Sequence, residues 1–164
     1  IIEHDMNFFE LSRVLTFHGA EILLHPTAEW NGPTVQTLDQ ARRSRAYENF
    51  IYLASANAGA IVSKYSAAQA SRGCSTVINY LGNVDSAIDG AGESVLVSTI
   101  DLDRLRKRRT EVFMNYPAQV KSGLFGREFS KQTFMETNTG PGTKATTQAT
   151  IERLQKEGVF APPD

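Results

Sequence analysis

Apolar and polar positions alternate most regularly in the first twenty-six residues. Ile1 and Ile2 read as the end of a buried strand and Glu3 to Phe8 as a polar turn. Leu11, Val14, Leu15 and His18 then recur at helical spacing and give one mostly apolar face. Gly19 is placed to end that helix in a left-handed cap. Glu21 to His25 rises into a second strand, which Pro26 stops. Strand, helix and strand in this order form the crossover unit of parallel sheets. In open α/β sheets chemistry sits just past the carboxyl ends of the strands. That rule puts Glu3, His4 and Asp5 at one lip and Thr27 to Trp30 at its neighbour.

Asn31-Gly32-Pro33 signals a turn. Thr37-Leu38-Asp39-Gln40 has the form of a capping box for a helix over Thr34 to Asn49, with Leu38, Ala41, Arg45 and Glu48 on one face. Ile51 to Ala56 is short and dense enough for a buried strand, whereas Ala60 to Arg72 reads as loop. Ser75 to Asn79, the turn Leu81-Gly82-Asn83 and Val84 to Ile88 predict a hairpin. A loop at Gly90 to Glu93 leads into the apolar run Val95 to Ile100. Asp101 then caps a short helix, Leu102 to Arg109. Beyond Thr110 the periodicity fades, leaving a linker at Gly140 to Thr143 and a helix over Thr147 to Glu157, built on Ile151 and Leu154 and ended by Gly158. The pattern predicts an α/β fold, followed over 110–164 by an extended tail that is either loose or packed on a partner.

Composition narrows the function classes. The 164 residues (18.1 kDa) carry a net charge of −1, without the basic excess of a nucleic-acid binder. The five cations between Arg104 and Arg109 read as a solvated helix face, partly offset by Asp101 and Asp103. No apolar run approaches the roughly 20 residues that span a bilayer, so a soluble protein with no membrane partner is expected. A single cysteine, Cys74, rules out an internal disulfide framework and fits a reducing, cytoplasmic setting. No signal peptide is expected from this stretch. Opening at Ile1 inside a strand-like segment, the chain reads as one with something removed upstream, or as part of a longer protein.

The order of motifs is more specific than any one of them. HPTAEW at 25–30, RSRAYEN at 43–49 followed by IYLASANAG, RGCSTVI with LGNV, and SVLVSTIDLDRLRKRR ending at Arg109 succeed one another. This succession resembles the carbon–nitrogen hydrolases of the nitrilase superfamily from Ile1 to Arg109. Asp5-Met6-Asn7-Phe8-Phe9-Glu10 is closest to the aliphatic-amidase branch, with Phe9 where a proline is usual. The resemblance implies that 1–109 is the C-terminal half of a carbon–nitrogen hydrolase domain. It would be half of an α-β-β-α sandwich, a mixed sheet with helices on one face that needs a second half or a partner, and a homo-oligomer is expected by analogy. It also implies a Glu general base, a Lys that stabilises the oxyanion, and a Cys that attacks an amide or nitrile carbon to give an acyl-enzyme. No cofactor is implied. The Glu and Lys lie upstream of the matched segment, and the Cys falls at position 3. This chain has Glu3.

A carboxylate is a poor nucleophile, and its acyl adduct would be a labile anhydride. Glu3 therefore marks a dead or repurposed site, an engineered substitution or a misassigned residue. By resemblance, the His4 backbone amide contributes to the oxyanion hole and Thr27, Glu29 and Trp30 line the acyl pocket; Trp30 is either a wall selecting small substrates or a loop anchor. Cys74 reads as a small buried hydrophobe rather than a displaced nucleophile. Glu3, His4 and Asp5 point to alternate faces and lack metal-ligand spacing, so no metal is expected. Arg45 and Glu48 form a helix-surface pair. Ile22, Leu24, Leu53, Val77 and Val97 are apolar residues that half a sandwich would leave uncovered. Two functions stay open: a hydrolase of small non-peptide amides or nitriles, inactive as this chain alone, and a non-catalytic scaffold or ligand-binding protein.

Overall fold

Residues 1–29, 35–63, 66–69, 71–88, 90, 92–131 and 144–160 are described by the computed structural model, with backbone alone at 35, 61–63, 66–69 and 144–146. They fall into two compact units, Ile1–Gln119 and Val120–Asp164.

In the first unit Ile2 is extended (φ −126°, ψ 129°), and the Ile1 nitrogen lies 3.3 Å from the Leu24 carbonyl. The expected polar turn is a 3-10 helix, Glu3–Asn7, followed by α1, Phe9–Phe17. Gly19, at φ +91°, ends α1 as expected. The Ala20 N–H closes on the Leu15 carbonyl and that of Gly19 on Thr16, the paired bonds of a Schellman cap. The inward stripe of α1 passes through Ser12 and Leu15, while Val14 and His18 are exposed. Counting apolar residues misplaced it: the side facing the second helix carries the small Ser12, and Arg13 reaches the Glu48 carbonyl there at 2.7 Å.

Strand β1, Ile22–Thr27, runs through Pro26 rather than stopping at it. It is the first strand of the sheet, with a side that needs no donor from proline. Helix α2, Val35–Asn49, crosses to β2, Tyr52–Asn57, which is parallel to β1 in register from Ile22↔Tyr52 to Thr27↔Asn57. Thr37 lies inside α2, so the proposed capping box is not its start; residues 31–34 lie outside those described. The buried face of α2 runs through Arg42, Ala46 and Asn49, with Leu38, Ala41, Arg45 and Glu48 on its flank. The helix closes at Phe50, a left-handed residue (φ +48°). The Phe50 ring is fully buried, with the Arg108 guanidinium 4.2 Å above it and Tyr116 beside it.

Where a loop was expected, β3 (Ile61–Ser63) and β4 (Ser66–Gln69) form an antiparallel pair; small polar residues carry little period-two signal. The predicted hairpin is β5 (Thr76–Ile78) with β6 (Val84–Ala87). Its turn is made by the Asn79 side chain, which accepts the Leu81 and Asn83 N–H groups at 2.9 and 3.2 Å, and by Gly82 at φ +77°. The main sheet has the order β1-β2-β5-β6, parallel at the first pair and antiparallel at the others. It is the mixed α/β sheet expected. Residues 95–100 form no strand, and Val95 is 88% exposed. Asp101 caps α3, Leu102–Thr110, by accepting the Arg104 N–H at 2.9 Å, and α4 is Tyr116–Gln119.

Leu23, Leu53 and Ile78 join Met6, Ala46 and Ile51 in one core cluster; Phe50, Tyr52 and Leu105 form a second. Leu53 and Val77 are therefore buried, whereas Ile22, Leu24 and Val97 are exposed, Leu24 by 65%. In the second unit, α5 is Ser122–Lys131 and α6 is Lys144–Lys156, the latter ended by Gly158 at φ +73°. No described helix is long and apolar enough to cross a membrane.

Candidate functional site

The extended backbone of Ile2 breaks sharply at Glu3, whose φ is +42°. A non-glycine residue pays roughly 1–2 kcal/mol in that region, so neighbours must hold it there. Asp5 does so from one side. Its Oδ2 accepts the Ile2 N–H at 2.8 Å, and its own N–H closes on the Ile2 carbonyl at 3.0 Å. The Glu3 and His4 side chains are exposed, and the Asn7 amide donates to the His4 carbonyl at 3.1 Å. The first amides of a helix have no intrahelical acceptor; with that of Asp5 engaged, those of Glu3 and His4 remain for an incoming acceptor.

From the other side the elbow rests on His25. This ring is 1% exposed, and its Nε2 lies 3.0 Å from the Glu3 carbonyl. A carbonyl can only accept, so Nε2 carries the proton and donates. Nδ1 of the neutral ring is then free to accept the Ser55 hydroxyl, 3.0 Å away on the adjacent strand. Burial pushes the His25 pKa below the ordinary histidine value. The Glu3 bond opposes that shift, the Arg42 charge adds to it, Glu29 opposes it and the Ile1 amino group adds to it.

Glu29 sits two residues beyond β1 in a knot of buried charge. Its Oε1 pairs with Arg42, which is 2% exposed, and its Oε2 lies 3.4 Å from Arg72. Asp39 completes the square, bonded to Arg42 at 2.8 Å and to Arg72. The main chain of Glu29 is held as firmly. Its N–H donates to Asn57 Oδ1 at 2.8 Å, while its carbonyl accepts the Ser71 hydroxyl at 2.8 Å and the Arg72 N–H at 3.1 Å. Thr27 donates to Glu29 Oε1 at 3.4 Å. Thr27 and Glu29 thus meet each other, and the Glu3 carbonyl meets the His25 ring. Trp30 lies outside the described residues.

Cys74 is half-buried and left-handed (φ +53°), with its Sγ donating to the Arg72 carbonyl at 3.4 Å. It shares a hollow of about 330 Å³ with Asp39, Arg72 and Thr76. A larger one, about 510 Å³, lies along Leu24, Pro26, Ala54, Ala56, Val77 and Leu96. Arg45 and Glu48 pair at 3.2 Å as expected. Sequence reasoning missed Arg42, Arg72, Asp39, Asn57, Ser55 and the His25 ring. A signal for one of them existed: His25 and Ser55 each occupy an inward position of a strand otherwise lined by apolar residues, where a polar side chain needs a partner.

A family model of carbon–nitrogen hydrolases matches residues 2–110, well over half of the sequence. The chain belongs to the carbon–nitrogen hydrolase family. This carbon–nitrogen hydrolase is 33% identical over 130 residues to the omega-amidase NIT2 of Homo sapiens, across 78% of its own length and 44% of that protein. The carbon–nitrogen hydrolase from Helicobacter pylori G27 superposes with a TM-score of 0.69 at 20% identity, covering 79% of this chain and 47% of that one. The C. elegans NitFhit protein follows at a TM-score of 0.64 and 27% identity, covering 75% and 28%. The chain therefore spans about half or less of each relative it matches and has a partial nitrilase-type fold.

Proposed function

We propose that this chain carries one half of a carbon–nitrogen hydrolase site for small non-peptide amides or nitriles, with residue 3 in the nucleophile's place, and that Glu3 leaves the chain without acyl transfer on its own. The observation that carries the reading is the left-handed Glu3, set between an extended segment and a helical turn. Such a turn lifts one side chain clear of the backbone and puts the amides of residues 3 and 4 beside it. A thiolate there would attack the carbonyl carbon, and those amides would take the charge developing on its oxygen. The Glu3 carboxylate can bond or repel a ligand but forms no durable acyl adduct. By resemblance Glu29 and Trp30 belong to the loop that lines the acyl pocket, which would limit the substrate to a small group. A general base and a cation come from the portion of the relatives that lies outside this match, supplied by an N-terminal half or by another copy. That partner's sheet covers Ile22 and Leu24.

The test compares the chain with Glu3→Cys. Both are offered short aliphatic amides with ammonia release as the readout, and a reactive ester with intact mass and peptide mapping as the readout. The expected result is no ammonia and no mass gain from the unaltered chain, and acylation of the introduced thiol faster than that of Cys74. Amide turnover by the unaltered chain, or an introduced thiol no faster than Cys74, would overturn the reading. A scaffold role is the second reading, favoured by the exposed Leu24 and Ile22 on the sheet. It gains ground if sedimentation shows a stable assembly in which Glu3→Cys still acylates no faster.

A further inference from the structure

We infer that His25 is a positioning residue for the oxyanion-binding amide. By taking the Glu3 carbonyl into the interior, it turns the His4 N–H outward, to the side where a reacting carbonyl oxygen would sit. The inference rests on the reading of residue 3 given above and goes beyond it by naming the group that sets the aim.

The geometry follows from one peptide unit. The Glu3 carbonyl and the His4 N–H belong to the same planar amide, which is trans, as is every peptide bond described here. In a trans amide the two bonds point in opposite directions. Whatever fixes the carbonyl therefore fixes the N–H. The carbonyl meets His25 Nε2 at 3.0 Å on a ring only 1% exposed, so it points in and the amide points out. The Asp5 bonds to Ile2 set the curl of the turn; His25 sets how that curl sits against the sheet.

The ring itself cannot turn freely. His25 and Ser55 are partners in the parallel ladder between β1 and β2, and Ser55 is buried with its hydroxyl 3.0 Å from Nδ1. The Glu3 carbonyl, which can only accept, selects the tautomer with the proton on Nε2, and the Ser55 hydroxyl then donates to Nδ1 and holds the ring in place. A chain of two bonds thus runs from the middle of the sheet to the amide. The left-handed backbone at Glu3 is the strained end of that chain, and strained residues persist where their surroundings over-determine them.

Two measurements test this. The first uses the chain with its native Glu3, labelled with 15N. Histidine nitrogen shifts should place the His25 proton on Nε2. His25→Leu should move the His4 amide resonance and speed its hydrogen exchange, His25→Gln, which keeps a donor, should restore both, and Ser55→Ala should loosen the ring while the proton stays on Nε2. The second is done in a Glu3→Cys background with two reagents. p-Nitrophenyl acetate is attacked at its carbonyl by the thiolate, the C–O bond breaks and nitrophenolate leaves; an alkyl methanethiosulfonate reacts at sulfur and builds no oxyanion. His25→Leu should slow the ester at least about tenfold, a fraction of what deleting an oxyanion donor costs. The thiosulfonate should stay within about twofold, because thiol exposure is unchanged, and His25→Gln should recover most of the ester rate. Equal losses with both reagents, or no loss with either, would overturn the inference, as would a His4 amide indifferent to His25→Leu. Should the introduced thiol acylate no faster than Cys74 while the His4 amide still follows His25, the reading of residue 3 as nucleophile site fails and the positioning role stands.

Discussion

Removing the Glu29 carboxylate is the sharpest perturbation of this molecule. In Glu29→Ala the main-chain bonds to Asn57, Ser71 and Arg72 survive, since none uses the side chain. What is lost is the carboxylate between Arg42 and Arg72. Among the described residues Arg42, 2% exposed, keeps only Asp39 on Nη1, and its Nε already lacks a partner. Asp39 is 38% exposed and must also serve Arg72. Breaking a buried pair by removing one member costs about 3–5 kcal/mol, and the surviving Asp39 contact puts this case at the lower end, near 3. Glu29→Gln keeps an acceptor of the same shape and should cost about half as much. Pairing Glu29→Met with Arg42→Met removes both charges and should lie within about 1 kcal/mol of the parent, far from the sum of the singles. Trp30 is the only tryptophan and adjoins Glu29 in sequence, so its fluorescence during urea unfolding reports the unit concerned. A Glu29→Ala cost below about 1 kcal/mol, or additive single and double variants, would refute the claim that this carboxylate holds a buried cation.

Two further outcomes follow from the same geometry. His25 has its pKa pushed below the ordinary value, so the folded chain refuses a proton that the unfolded chain accepts near pH 6.5. Its contribution is full above about pH 6.5 and is lost as pH falls from there through the folded pKa; Arg42, Glu29 and the Ile1 amino group are the charges facing it. Urea midpoints of the parent should drop over that window relative to those of His25→Gln, and parallel curves would count against a neutral ring. Two of the left-handed glycines, Gly19 and Gly82, should differ. Gly19→Ala meets nothing within 4 Å and bears only backbone strain, about 1 kcal/mol. In Gly82→Ala the new Cβ also lies 3.1 Å from the Arg43 carbonyl and 3.2 Å from Tyr47 Cβ, and its urea midpoint should fall further.

The elements whose ends are written in local chemistry were legible: the Asp101 cap, the Gly19 and Gly158 stops and the Asn79–Gly82 hairpin. So was the family, from the order of its motifs. What depended on distant partners was not. Arg42 looks like a surface residue until Glu29 and Asp39 are folded onto it, and Pro26 looks like a stop until β1 is known to lie at a sheet edge. The Ala60 to Arg72 stretch hid a strand pair because Ser, Ala and Gln carry no apolar alternation. At the site, Glu3 and His4 were singled out by the strand-end rule and by resemblance. His25 was passed over because its role lies in a bond to a main-chain carbonyl, which no side-chain motif announces.

Phe50 has a consequence for how the chain is made. The α2 stop uses no glycine, and its bulky left-handed residue is held by Leu105, Arg108 and Tyr116, all encoded far downstream. On the ribosome the first crossover therefore emerges with an unfinished helix end, and it locks only after α3 and α4 have left the exit tunnel. Emergence of α3 and α4, rather than of β2, sets the moment at which this half of the sheet becomes permanent.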